Sequence, residues 1–272
     1  MNTTQRIPLL LYHDFCASTD TSTDNFAVTH ENFKKQMECL PHDGFVGVSL
    51  ETLMGDLAFV KTKEGPVVDS AGKVVLTLDD GALSHYRFVL PILRRMNFTA
   101  TFFVTINEIG TAERMSWAMI EDLAGNGMDV GSHGLVHTFL TARSDRALSN
   151  DLTMSREILE KHTKKPVNLL SVPRGFYDRR VVAIAREAGF KAVCTSDAGY
   201  NDFSGEDAFV LKRFTMRRGY SLDAFRSIIR GRPSRSIIVA EQLRAGLRTI
   251  LGYQAYDRLR SLRYGTGRSK GE

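Results

Sequence analysis

Cysteine is scarce in this chain: 272 residues hold three, Cys16, Cys39 and Cys194, scattered and with no CxxC spacing. An odd, dispersed set excludes a disulfide framework and a cysteine-held metal site, leaving three ordinary thiols. No apolar run reaches the length of a membrane-spanning helix. The run from Ile7 to Tyr12 is also too short for the hydrophobic segment of a signal peptide, so a cytoplasmic protein is expected. Tryptophan occurs once, as Trp117, and histidine seven times, with none after His162. The formal net charge of +5 comes without a recognised nucleic-acid-binding module, so nucleic acid is not an expected partner. There is no internal repeat and no low-complexity tract.

What is present suits one α/β core. A hydrophobic content of 43% over this length supplies a barrel-sized interior. Strand-like runs at Pro8–Tyr12, Lys73–Leu78, Ala100–Thr105, Met128–Val130, Val167–Val172 and Ala192–Thr195 alternate with helical stretches. The helices are expected at Glu31–Leu40, His85–Met96, Trp117–Ala124, Asp145–His162 and Arg179–Ala188. Such alternation implies parallel strands with helices outside. Pro91 marks a helix start or kink, Trp117 belongs to the core, and Phe59 to Lys73 is expected to form a small hairpin insertion.

Two short segments carry chemistry. Val74-Val75-Leu76-Thr77-Leu78 is rich in β-branched residues and runs directly into Asp79-Asp80-Gly81, which places two carboxylates at the C-terminal end of a buried strand. Parallel α/β sheets build their sites at that end. Adjacent carboxylates repel, and a cation or a shared proton relieves the repulsion; a solvated Asp-Gly turn is the plainer reading. Met128 to His137 is a second strand entering a loop, and His133 and His137 can converge on one ion if a helical turn joins them. Two histidines and one of the carboxylates make three ligands with an open position, the pattern of a catalytic metal site.

The order of these pieces resembles the polysaccharide deacetylase (NodB-homology) family, carbohydrate esterase family 4. The matching landmarks are Leu10-Leu11-Tyr12-His13, Leu76-Thr77-Leu78-Asp79-Asp80-Gly81, Pro91-Ile92-Leu93 with Thr99-Ala100-Thr101-Phe102-Phe103-Val104, Ser132-His133-Gly134-Leu135-Val136-His137, and Val172-Pro173-Arg174-Gly175-Phe176-Tyr177. The resemblance implies a deformed (β/α)7 TIM-like barrel, with residues 1–225 as catalytic domain and 226–272 as a basic helical extension. It implies Asp79 as general base and Asp80, His133 and His137 as ligands of a divalent metal, Zn2+ first, with Co2+ or Ni2+ as alternatives. Arg174 would give a backbone N–H to the oxyanion, and Pro173, Phe176 and Tyr177 would meet an acetylated carbohydrate, with Tyr200 as a further stacking candidate.

Three departures accompany it. The family's late acid histidine is absent, which points to His13, the early Tyr-His position used by members resembling exopolysaccharide poly-N-acetylglucosamine deacetylases. Gly134 stands where Ser or Thr is usual. Ser171 occupies the place of an arginine that orients the base, a duty open to Arg174, Arg213 or Arg217. The implied activity is metal-dependent removal of N-acetyl groups, with O-acetyl groups as an alternative, from a sugar or exopolysaccharide. A glycan-binding pseudoenzyme or a hydrolase of a small non-sugar amide are the alternatives.

From Phe225 to Glu272 the chain holds eleven basic residues against three acidic ones. Val239, Leu243, Leu247, Ile250, Leu251, Leu259 and Leu262 recur near helical spacing beside Arg244, Arg248, Arg258 and Arg263. This amphipathic helix is expected to close the barrel with its arginines in solvent; contact with anionic lipid headgroups or an acidic polysaccharide is the sharper alternative.

Overall fold

The computed structural model describes residues 7–17, 19–20, 24–55, 72–201, 203 and 208–264. The expected hairpin insertion falls almost wholly outside them. Eleven strands are described: β1 (Leu9–Tyr12), β2 (Asp14–Cys16), β3 (Ala27–Thr29), β4 (Val46–Val48), β5 (Lys73–Leu78), β6 (Thr101–Val104), β7 (Asp129–Ser132), β8 (Leu169–Ser171), β9 (Ala192–Cys194), β10 (Val210–Leu211) and β11 (Phe214–Thr215). The main sheet runs β10-β9-β8-β7-β6-β5-β1-β11, with β4 also against β5. Every one of its pairings is parallel. Its edge strands β10 and β11 are joined by Lys212 and Arg213 alone, so the sheet curls until its ends meet across two residues. The expected deformed barrel holds.

Alternation sorts each strand's side chains into two layers. Leu9, Val48, Val75, Phe103, Leu169, Cys194 and Leu211 pack together inside the barrel. Leu10, Leu76, Phe102, Val130, Leu170 and Val193 pack outward under the helices. Extending the inner rows by the same period of two leads from Leu9 and Leu11 to His13, from Val75 and Thr77 to Asp79, from Gly131 to His133, from Leu169 to Ser171, and from Leu211 to Arg213. One end of the barrel interior is thus polar by continuation of the pattern that makes the rest apolar.

The outer helices lie at His30–His42, Leu90–Met96, Trp117–Gly125, Asp145–Thr163, Arg179–Glu187, Leu222–Ile229 and Arg235–Tyr264. Thr29, Ser116, Ser144, Asp178 and Ser221 cap five of them with side-chain oxygens. Pro91 sits in the first turn of its helix, preceded by a π-helical turn at His85–Val89. Trp117 is only partly buried, and its ring stacks on His162 at 3.7 Å. The three cysteines are free and buried; burial pushes the Cys39 thiol up to about 11 and the Cys194 thiol up to about 12, so neither is a thiolate near neutrality.

The C-terminal helix corrects its expected orientation. Ile237 is buried, but Val239, Leu243, Leu247 and Ile250 are exposed. The side meeting the barrel carries Glu241, which pairs with Arg217 at 3.3 Å and with Arg244. Hydrophobic spacing reveals that a helix has a face without saying which way that face turns.

Candidate metal centre and its clamped carboxylate

Asp79 and Asp80 leave β5 in opposite roles. The Asp79 N–H donates to Tyr12 O at 2.9 Å, extending the β1–β5 ladder by one residue, and its side chain keeps the inward parity. Asp80 then turns into the left-handed region at φ 74, followed by Gly81 at φ 64. A non-glycine residue held there is strained and persists where surrounding structure enforces it, commonly at functional sites.

Asp80 meets the two histidines. Its Oδ1 lies 3.3 Å from His133 Nε2 and 3.2 Å from His137 Nε2, and one donor atom from each residue lies within 4.8 Å of the others. The His133 Nδ1–H donates to Ser171 O at 2.8 Å, which fixes the tautomer and turns a bare Nε2 toward Asp80. Two ligand atoms about 2.1 Å from a tetrahedral ion are about 3.4 Å apart, so the two Asp80 distances suit ligands that share one ion. His133 and Asp80 are buried, whereas the His137 side chain is 23% exposed, leaving one side of the triad open. Burial lowers the proton affinity of His133, but the Asp79 and Asp80 charges and the bond to Ser171 O together raise it above the ordinary value. The histidines converge through a bent loop rather than the helical turn anticipated from their spacing.

Asp79 sits in a buried clamp. Arg213 Nη1 donates to its Oδ1 and Nη2 to its Oδ2, both at 2.8 Å, and the Ser171 hydroxyl donates to Oδ2 at 2.8 Å. The remaining Arg213 donors reach Ser171 Oγ, Thr77 Oγ1 and Thr195 O, so all five guanidinium N–H groups are used. Burial is the largest single influence on the Asp79 carboxyl and pushes it up; Arg213 and His133 together outweigh it and hold Asp79 below the usual carboxylate range. Of the three arginines that could orient this carboxylate, the structure places Arg213 there. Arg217 is buried elsewhere, and the Arg174 guanidinium lies over the Phe139 ring at 4.8 Å.

The other anticipated residues surround this end of the barrel. His13 follows β1 next to Asp79, contributes to lowering that carboxyl's pKa, and packs edge-on to Phe26 at 5.1 Å. Its carbonyl accepts from the Nε2–H of buried His85. Pro173 is buried, and Arg174 and Gly175 both take left-handed backbone at φ 61 and φ 73. Phe176 packs on Phe139 at 5.5 Å, and the Tyr177 hydroxyl donates to Asp197 at 2.9 Å. Tyr200 is committed to the fold: its ring packs on Phe214 and its hydroxyl donates to Ile228 O.

Asp151, which belongs to none of the sequence motifs, braces the histidine loop. Its Oδ1 accepts the Leu135 N–H at 2.9 Å and its Oδ2 pairs with Arg143 Nη1 at 2.9 Å; burial pushes this carboxyl up against both. A Cβ on Gly134, where φ is +81, would stand 3.1 Å from Asp151 Oδ1. The loop thus gives up the usual hydroxyl after His133 and admits a carboxylate from the neighbouring helix instead. Asp151→Ala is expected to weaken ion binding about 10- to 100-fold, read by calorimetric titration. Gly134→Ser is expected to weaken ion binding too, because it forces a side chain into a left-handed position against Asp151; unchanged affinity in both variants would remove Asp151 from the account.

The chain is similar to known proteins in sequence and in fold. Residues 67–193 match the family described as polysaccharide deacetylase. A putative polysaccharide deacetylase of Bacillus subtilis is 22% identical over 224 residues, covering 82% of this chain and 76% of that protein. A peptidoglycan-N-acetylglucosamine deacetylase of Bacillus cereus is 31% identical over 124 residues, 45% of this chain and 56% of its own length. A Streptococcus pyogenes deacetylase solved with acetate superposes with a TM-score of 0.75 at 21% identity, covering 84% of this chain and 99% of that one.

Proposed function

We propose, from a chain whose residues 67–193 match the family described as polysaccharide deacetylase, that the protein hydrolyses the N-acetyl group of an acetylated sugar or exopolysaccharide, releasing acetate and a free amine. The observation that carries this reading is a carboxylate locked by Arg213 and Ser171 immediately beside the Asp80–His133–His137 triad. A binding protein has no use for a buried base and three convergent ligands together.

A divalent ion held by Asp80, His133 and His137, Zn2+ before Co2+ or Ni2+, would acidify water and polarise the acetyl carbonyl. Asp79, kept ionised by Arg213, takes the proton of the attacking water. Arg213 and Ser171 occupy both carboxylate oxygens from the buried side, so the base has one fixed orientation. The Arg174 main-chain N–H serves as the oxyanion donor, the neighbouring Gly175 N–H being bonded to Val172 O. His13, whose carbonyl is held by His85, supplies the proton to the departing amine from the adjacent strand end. Phe176 and Tyr177 form the wall against which a sugar ring packs, above buried Pro173.

Incubation with N-acetylglucosamine oligomers tests the reading by mass spectrometry and primary-amine detection. Loss of acetyl with appearance of amine is expected; loss of acetyl from O-acetylated glycans alone would make the protein an esterase. Glycan binding without any acetyl loss would mark a pseudoenzyme. His13→Gln is expected to lower turnover about 100-fold, and an unchanged rate would place the acid elsewhere.

A further inference from the structure

The C-terminal helix stands independently of the reaction and presents a face that water does not explain. On one side Ile237 enters the core and Glu241 pairs with Arg217. On the other, Val239, Leu243, Leu247 and Ile250 fall within an arc of about 80° at 3.6 residues per turn. They are 52%, 64%, 42% and 81% exposed. A contiguous apolar stripe of this kind marks an interaction surface. Gly252, at φ 65 and ψ 175, interrupts the helix directly after it. Arg235–Leu251 carries Arg235, Arg244 and Arg248 against Glu241 alone, and Arg258, Arg260 and Arg263 follow beyond Gly252 against Asp257, so whatever covers the stripe meets a net positive segment.

We propose that this helix lies along an anionic lipid surface, with the Val239–Ile250 stripe in the headgroup and acyl boundary and the net positive charge of the segment answering the phosphates. A second copy of the chain would bring two cationic helices face to face. An acidic polysaccharide would answer the charge but offers no apolar phase for Leu243 and Ile250. Residues 235–251 span about 25 Å at 1.5 Å per residue, and no described helix is long and apolar enough to cross a membrane; an apolar stripe on a basic helix lies in the interface plane.

The helix is also tied to the polar end of the barrel. Arg217, the partner of Glu241, stands over the Phe26 ring at 5.0 Å, and Phe26 packs against His13. The helix is therefore linked to the His13 rim through Arg217 and Phe26.

Co-sedimentation of the full chain with vesicles tests this, using phosphatidylcholine alone and phosphatidylcholine mixed with phosphatidylglycerol, for wild type and Leu243→Ser/Ile250→Ser. Wild type is expected to sediment with the anionic vesicles, at least about tenfold less with neutral ones, and less as salt rises. The double variant is expected to lose at least about tenfold while keeping its circular dichroism and melting temperature, since both side chains lie in solvent. No binding to anionic vesicles, equal binding to neutral ones, or equal binding by the variant would overturn the proposal. A concentration-dependent dimer lost in the variant, without vesicle binding, would overturn it in favour of a second copy.

Discussion

Replacing Arg213 with methionine is expected to cost about 3–5 kcal/mol of stability, because it strands a buried carboxylate without its counter-charge. Arg213 is fully buried and Asp79 is 2% exposed, so water cannot take over the lost contacts. The cost should come mainly from the stranded charge rather than from lost packing. Asp79→Asn/Arg213→Met is therefore expected to lose clearly less than the sum of its single changes in urea denaturation. Additive losses would mean that Arg213 acts as a packing element and not as the partner of Asp79. Arg213→Lys is expected to fall between wild type and methionine, since a lysine keeps the charge but not the fork that reaches both oxygens.

The second large effect falls on turnover. Asp79→Asn is expected to lower kcat about 10²- to 10⁴-fold, with ion affinity held within about threefold because none of the three ligand side chains is touched. Titration of the ion and measurement of initial rates on the same preparation separate these two quantities. A large loss of ion affinity would make Asp79 a ligand, and a rate within tenfold of wild type would remove it as the base.

These residues were not equally legible in the chain. Asp79, His133 and His13 follow apolar strands at the inward parity, so their placement at one end of the barrel could be inferred from alternation alone. The choice of Arg213 could not, because it depends on the curl that brings a residue 134 positions distant onto Asp79. Its signal is faint but real: a lone arginine within Phe209-Val210-Leu211-Lys212-Arg213-Phe214, in a register where an apolar residue would fill the interior. Asp151 left a similar trace, a carboxylate on the buried helix face shared by Leu148, Leu152 and Ser155.

Two expectations failed for physical reasons. The HxxxH spacing suggested a helical turn, yet Gly134 in the left-handed region and the Asp151 brace bend the loop instead. The apolar stripe of the C-terminal helix suggested closure of the barrel, yet the Arg217–Glu241 pair turns the polar side inward. In both cases one tertiary contact decided what a local pattern left open. Short strands such as β10 and β11, two residues each, were invisible because they exist only through pairing with longer neighbours.

The measurement that bears most directly on the central claim is acetate release from N-acetylglucosamine oligomers by chelator-treated protein, before and after Zn2+, Co2+ or Ni2+ is restored. Release that is absent in the stripped protein, returns with one ion per chain, and fails to return in His137→Ala is the predicted result. Release that persists at full rate after the metal is removed, or that never returns although an ion binds at Asp80, His133 and His137, would contradict it.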